Sequence, residues 1–300
     1  MTQPRRTALD ARAVVTLLAC CILWGLNQVA AKVALADIAP LTQAAVRSAG
    51  AALLVLAWAR WRGIALFERD RSGAAGLVAG ALFAAEFACI FIGLQYTSAS
   101  RMVVFIYLAP VEVALGMPFV ARGERLRAAQ WGGLLLAFAG VAWAFAEGFV
   151  ADSATVGPRQ WLGDSLGLAA ALLWGGTTLV IRATPLAHMV AEKTLLYQLG
   201  VSAVLLALGA MLADEALPRS VGALAAGALA FQTFVVTFAS YLAWFWLVRH
   251  YSATRISAFA LLTPIAGLAA GVVLLGEPLT ARLVLAVAAV ASGLLVMNRH

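Results

Sequence analysis

Arg47, Glu86 and Glu112 each stand inside a long apolar run of this 300-residue chain. In hydrocarbon an ionisable group is costly unless it faces a bundle interior, a water-filled cavity or a partner. An arginine there can orient an anionic group of a bound solute, and a buried glutamate can meet a cation or carry a proton. For each of them a structural ion pair is the competing role. Counted at 1.5 Å per residue from the outer face, Arg47 lies about 9 Å deep, Glu86 about 12 Å and Glu112 about 17 Å. Arg47 and Glu86 are therefore the better matched pair. Glu112, two residues beyond Pro110, has the further option of hydrogen-bonding a broken helix.

Uncharged polar and aromatic residues form a second tier at helical spacing. Trp24, Asn27 and Gln28 fall on one arc of the first apolar run, and Trp174, Thr177 and Thr178 repeat that arc in the sixth. Tyr197 and Gln198 occupy the place in the seventh run that Arg47 has in the second, and Tyr107, Tyr241 and Thr263 add amphipathic groups. Such a lining suits an uncharged or zwitterionic solute with an apolar body. Aromatic belts and ordinary interhelical hydrogen bonds are the plainer use of these residue types.

Other chemistries lack their residues. His188, His250 and His300 lie at the ends of apolar runs, and no pair of aspartates sits at a common membrane depth, so nothing resembles an intramembrane hydrolase and the chain reads as no enzyme. Cys20, Cys21 and Cys89 have neither metal-ligand nor disulfide spacing and read as packing residues. No Walker motif occurs, and no cofactor or metal is expected. The net charge of +7 is scattered singly at run ends without a basic stripe, which speaks against nucleic acid.

The elements that hold these residues follow from composition. With 63% hydrophobic and 12% charged residues and a mean hydropathy of +0.93, the chain has too little polar surface to face water. Repeated apolar runs of about 20 residues suit membrane-spanning helices rather than a barrel. The pattern predicts spans at about 13–35, 41–59, 73–94, 101–121, 128–147, 163–183, 190–212, 221–248, 254–275 and 281–298. Arg5, Arg6 and Arg12 before an apolar stretch, with Ala34-Leu35-Ala36 after it, imitate a cleavable signal. The stretch nevertheless spans fully and its Trp24-Gly25 recurs at Trp174-Gly175, so it is expected to stay as the first helix. Gly76 with Gly80, Gly163 with Gly167, and Gly267 with Gly271 form small faces for close helix packing. The fifth and tenth spans lack prolines and mid-span charges and are expected at the periphery, where a dimer contact is possible.

The ten spans are one five-span unit used twice. Ser98-Ala99-Ser100-Arg101 precedes Pro110 as Ser252-Ala253-Thr254-Arg255 precedes Pro264, and Gly123-Glu124-Arg125-Leu126 matches Gly276-Glu277-Pro278-Leu279. Residues 1–150 and 151–300 are the two copies, and Pro110 and Pro264 should break equivalent helices. Alternating the loops puts about fifteen Lys and Arg residues on one side, against Lys32, Arg101, Arg159, Arg219 and Arg282 on the other. The positive-inside rule then makes both termini cytoplasmic. Because five is odd, the copies are inverted, an arrangement that can open a midplane site to either side in turn.

Trp24-Gly25, Arg47, Ala109-Pro110, Gly123-Glu124-x-Leu126 and the degenerate second copy together resemble the drug/metabolite transporter superfamily, specifically its EamA-type exporters. Within it the chain is most similar to the aromatic amino acid/paraquat exporter branch. The resemblance covers nearly the whole chain. It implies an all-α integral membrane protein with ten helices around a central cavity between the halves, and efflux of amino acids, related metabolites or cationic drugs. Sugar-phosphate and nucleotide-sugar antiporters share the architecture, but a phosphate would favour several basic residues in the spans. A cationic-drug exporter stays open through Glu86 and Glu112, and a lipid flippase or membrane sensor is the alternative outside solute transport. The expected partners are a small-molecule substrate and the lipid bilayer of the inner membrane, with the protein a monomer or homodimer.

Overall fold

The computed structural model describes residues 10–68, 70–120, 128–147, 159–251 and 262–297. Among these every regular element is helical and no β-strand occurs. A helix satisfies its own backbone N–H and C=O groups, which hydrocarbon demands of a spanning segment. Seven helices among the described residues are long and apolar enough to cross a membrane, and shorter apolar ones lie at Ala129–Ala144, Leu262–Leu275 and Ala281–Gly293. In chain order the elements are α1 (Ala11–Ala34), α2 (Pro40–Trp61), α3 (Gly73–Gly93), α4 (Ala99–Ile106), α5 (Ala109–Val120), α6 (Ala128–Glu147) and α7 (Gln160–Ala183). After a 3-10 turn (Pro185–His188) come α8 (Ala191–Leu212), α9 (Ala223–Ala230), a π-helical segment (Phe231–Ser240), α10 (Tyr241–His250), α11 (Leu262–Leu275) and α12 (Ala281–Met297).

Among the described residues two spans depart from a plain α-helix. The fourth divides at Tyr107, whose ψ of 10° leaves the helical range, so that Leu108 N–H turns to Phe105 O at 3.1 Å. Pro110 is the second residue of α5, where a missing N–H costs nothing, so it starts a new helix instead of kinking an old one. The matching break expected before Pro264, with Ser252-Ala253-Thr254-Arg255, lies outside the described residues, as does Gly123-Glu124-Arg125-Leu126. The eighth span widens into the π segment. There Gln232 Nε2, Thr233 Oγ1 and Ser240 Oγ donate to the carbonyls of Ala228, Leu229 and Val236, each four residues back, at 3.2, 2.8 and 2.5 Å. Side chains that take those carbonyls compete with the α-helical amides for them.

The described copies of the duplicated motifs, Ser98–Arg101 and Gly276–Glu277, form a structural joint. Ser98 caps α4 by accepting from Arg101 N–H at 3.1 Å. Ala99 N–H, Ser100 N–H and Ser100 Oγ all donate to Glu277, at 2.7, 2.9 and 2.5 Å. Gly276, with φ +65°, supplies the left-handed residue that ends α11 and turns Glu277 toward α4. Glu215 serves α2 in the same way, accepting from Leu41 N–H, Thr42 N–H and Thr42 Oγ1 at 3.0, 2.7 and 2.8 Å.

Packing interleaves the two halves of the chain: α1 and α4 lie on α11, α2 on α8, α3 on α7 and α8, α5 on α7, and α6 on α12. The small faces are used as expected, Gly76 against Tyr197, Gly163 against Thr97 and Gly267 against Val103. On α6, Gly140 meets Ala286 and Ala289 of α12, while Trp131, Leu135 and Trp143 stay exposed, so the pair sits at the edge of the bundle with an apolar outer side. One crossing recurs in both halves. A Cβ on Gly25 would sit 2.6 Å from Gly267 N and 2.9 Å from Ala266 Cβ. One on Gly175 would sit 3.0 Å from Glu112 Oε2 and 3.2 Å from Glu112 Cβ.

Each Trp-Gly pair thus packs on the residues that follow the proline of the other half. Gly25→Ala must push backbone aside, and overpacking of this kind costs about 1–3 kcal/mol. Its thermal unfolding midpoint should fall, while Gly132→Ala, with nothing within 4 Å, should not lower it.

Candidate functional site

Arg47 on α2 is 0% exposed, and Nε, Nη1 and Nη2 are all without a hydrogen-bond partner. Its guanidinium carbon lies 3.8 Å from the ring centre of Phe87 and 5.4 Å from that of Phe91, both on α3. The ring faces compensate part of the charge, but a guanidinium has five N–H donors to place. Glu86 on α3 is also buried, and its Oε2 accepts nothing. The two side chains act on each other electrostatically, and on Tyr241, yet no hydrogen bond joins Arg47 to Glu86. A buried guanidinium and a buried carboxyl thus lie near each other, the first with its donors and the second with an acceptor unmatched.

Aromatic groups continue this lining. Trp24 Nε1 donates to Ser240 Oγ at 2.8 Å, and its ring meets Tyr241 and Trp244 edge-on, with centres 6.2 and 5.0 Å apart. The π segment therefore places Tyr241 between Trp24 and Arg47. Tyr107 packs edge-on against Trp174 at 5.6 Å and lies close to Thr263, whose Oγ1 makes no well-formed hydrogen bond. Asn27 Oδ1 and Gln28 Oε1 are buried and unpartnered as well. Glu112 is half-buried against Gly175, with its Oε2 sealed and unbonded.

Other sequence candidates fall elsewhere. Thr177 and Thr178 donate to Leu173 O and Trp174 O of their own helix, at 2.8 and 3.1 Å, so their hydroxyl protons are used locally. Tyr197 does not share Arg47's surroundings: its ring covers Gly76, and its hydroxyl lies 3.4 Å from Ser72 Oγ at the other end of α3. Gln198 is buried on α8. That end is tied by Lys193 Nζ, which donates to Asp70 Oδ2 at 2.6 Å and to Glu68 O at 3.0 Å. The bonds from Lys193 and Ser72 hold the Asp70 carboxyl down at about 2, so Asp70 stays ionised at any ordinary pH.

Several relevant residues were not anticipated from the sequence. Gln232 and Thr237 of the π segment, and Gln43 and Ser48 of α2, are buried with unpartnered oxygens. The signal for the first two was a row of polar residues, Gln232, Thr233, Thr237 and Ser240, inside an otherwise apolar span. Arg101, an outer-side charge by the positive-inside count, has a different place. It is buried, and donates through Nε and Nη2 to Asp164 at 3.2 and 2.5 Å and through Nη2 to Ala144 O at 2.6 Å, while Thr97 Oγ1 adds a fourth element at 2.6 Å from Asp164. A groove of about 360 Å³ between α1, α9 and α11 is lined by Leu26, Val29, Leu224, Phe231 and other apolar residues. None of the charged candidates lines it.

Comparison with known proteins agrees with this architecture. The EamA-like transporter family matches residues 11–146 and 161–299. A solved crystal structure, 21% identical, resembles the chain with a TM-score of 0.66, covering 96% of this chain and 96% of that one. At that identity the likeness concerns the fold alone. No curated protein matches the chain. With the family's pattern running through both halves and seven apolar helices long enough to span, the chain belongs to the EamA-like transporter family, multi-pass membrane transporters of the drug/metabolite type.

Proposed function

We propose that the protein exports small amino-acid-like solutes, aromatic ones among them, across the inner membrane by alternating access. Residues 1–150 and 151–300 act as inverted five-helix repeats around a central cavity, ten spans in all, with both termini cytoplasmic. The observation that carries this reading is the unbonded pair of buried ionisable groups, Arg47 and Glu86. A carboxylate supplies the acceptors that Arg47 lacks, an ammonium supplies donors for Glu86 Oε2, and Phe87, Trp24 and Tyr241 offer an apolar wall for a side chain. The two-way crossing of Gly25 on Ala266 and Gly175 on Glu112 supports halves that exchange shapes.

Sugar phosphates fit less well, because a phosphate dianion would meet a single guanidinium beside a carboxyl. A cationic solute would use Glu86 and the rings but leave Arg47 opposed to it. The test is counterflow uptake into proteoliposomes with labelled amino acids, sugar phosphates and methyl viologen. Exchange of amino acids, strongest for aromatic ones, is expected. Exchange confined to phosphorylated sugars or to methyl viologen overturns the reading.

A further inference from the structure

We propose that Glu112 is a proton-binding site, separate from the Arg47–Glu86 pair, whose loading is coupled to solute movement. The coupling rests on the export reading above; the proton site itself does not.

The chain contains its own control for this position. Gly175 of α7 crosses α5 at Glu112, and Gly25 of α1 crosses α11 at Ala266, which occupies the corresponding place after Pro264. The second crossing is built against the Cβ of an alanine. The same Gly-on-helix contact therefore forms without a carboxyl, and packing gives no reason to keep an acid at Glu112. Hydrocarbon tolerates a carboxyl as the neutral acid or as half of a pair, so an acid retained there without packing need has another use.

Among the described residues the two structural uses are both unmet. Glu112 is in the first turn of α5, where the helix dipole favours an anion, but a capping carboxylate accepts backbone N–H groups and the sealed Oε2 accepts none. An ion pair would need a basic neighbour. On α7, which packs against α5, the charged groups are Asp164, already held by Arg101, and Arg182, exposed and two turns beyond Gly175. On the preceding α4 the only basic group is Arg101 itself, and the nearest titratable one is Tyr107 in the break between α4 and α5. No cluster of metal-ligating residues occurs among the described residues.

What remains is a carboxyl with one oxygen pressed on the α7 backbone and the rest of the group half-buried. Its carboxylate takes one proton from water and becomes the neutral acid, with no other reactant. It returns that proton when motion at the α5–α7 crossing opens it to the opposite side. The crossing joins the two halves, so under the export reading an exchange of shape between them would link this proton to the solute.

The test counts protons first. Unbuffered, detergent-solubilised protein is stepped from about pH 9 to about pH 5, and uptake is compared between wild type and Glu112→Gln, with Glu112→Ala as the variant that copies Ala266. Wild type should take up close to one more proton per chain than either variant. An ordinary solvated carboxyl would add only about a fifth of a proton in that interval, and a difference that small overturns the proposal. In proteoliposomes containing a pH-sensitive dye, wild-type solute exchange should move protons, and both variants should lose at least about tenfold of that movement. Solute-linked proton movement unchanged in monodisperse Glu112→Ala also overturns it. Proton uptake present in a wild type that transports none of the solute panel would sink the export reading and leave the proton site standing.

Discussion

Arg47→Ala is expected to abolish solute transport while leaving as much folded protein in the membrane as wild type. The guanidinium is completely buried and its three nitrogens bond to nothing in the protein, so it contributes no hydrogen bond that the fold would miss. Its contact with Phe87 returns about 2 kcal/mol or somewhat more, set against the several kcal/mol that burying an ion costs. The thermal midpoint of Arg47→Ala should therefore equal or exceed that of wild type. Counterflow in reconstituted vesicles should fall at least about 100-fold, because a charge-assisted bidentate bond to a carboxylate is worth roughly 3 kcal/mol or more in a dry site. Retained flux would remove Arg47 from the binding site, and a lower midpoint would show that it serves the fold.

Asp164→Ala should do the opposite. Asp164 is 0% exposed and accepts from Arg101 and Thr97. Removing it leaves Arg101, itself 5% exposed, without its counter-charge. Breaking a buried pair from one side costs about 3–5 kcal/mol, comparable to much of a protein's net stability. We expect little monodisperse Asp164→Ala protein after extraction, and a midpoint well below wild type for what survives. The double variant Arg101→Leu, Asp164→Leu removes both charges and should recover most of the loss. A double variant as poor as the single one would mean that the bonds to Thr97 and Ala144 matter more than the charge balance.

These two arginines are both buried, and the sequence marks only the first of them as such. Arg47 was legible because it interrupts an apolar run at depth, where no loop is near. Arg101 follows Ser98-Ala99-Ser100 at a span end, a place where arginines ordinarily reach water, and its partner Asp164 is five residues into the described α7. Only the folded bundle brings α7 over α4. The break at Tyr107 was legible because Pro110 cannot continue a helix. The π segment was not, since Gln232, Thr233 and Ser240 announce only that polar groups lie inside a span, and the choice between helix types depends on which carbonyls they take. Tyr197 departs from the place that Arg47 has in the first copy because the two copies are not alike at every position. Thr177 and Thr178 were at the right spacing, yet a hydroxyl on a membrane helix can always turn back to its own backbone.

The order of synthesis follows from the way Glu215 and Glu277 reach back. The amide groups at the start of α2 and α4 are satisfied by carboxylates made much later, and Ala99 and Glu277 are 178 residues apart. At about 5–20 residues per second, a ribosome needs on the order of ten to forty seconds to cover that distance. For this interval α4 sits in the bilayer with its first N–H groups unclaimed and Ser98 as its single cap. A chain halted after its first 150 residues has neither carboxylate, and the first amides of α2 and α4 are then left without the partners they have in the finished fold.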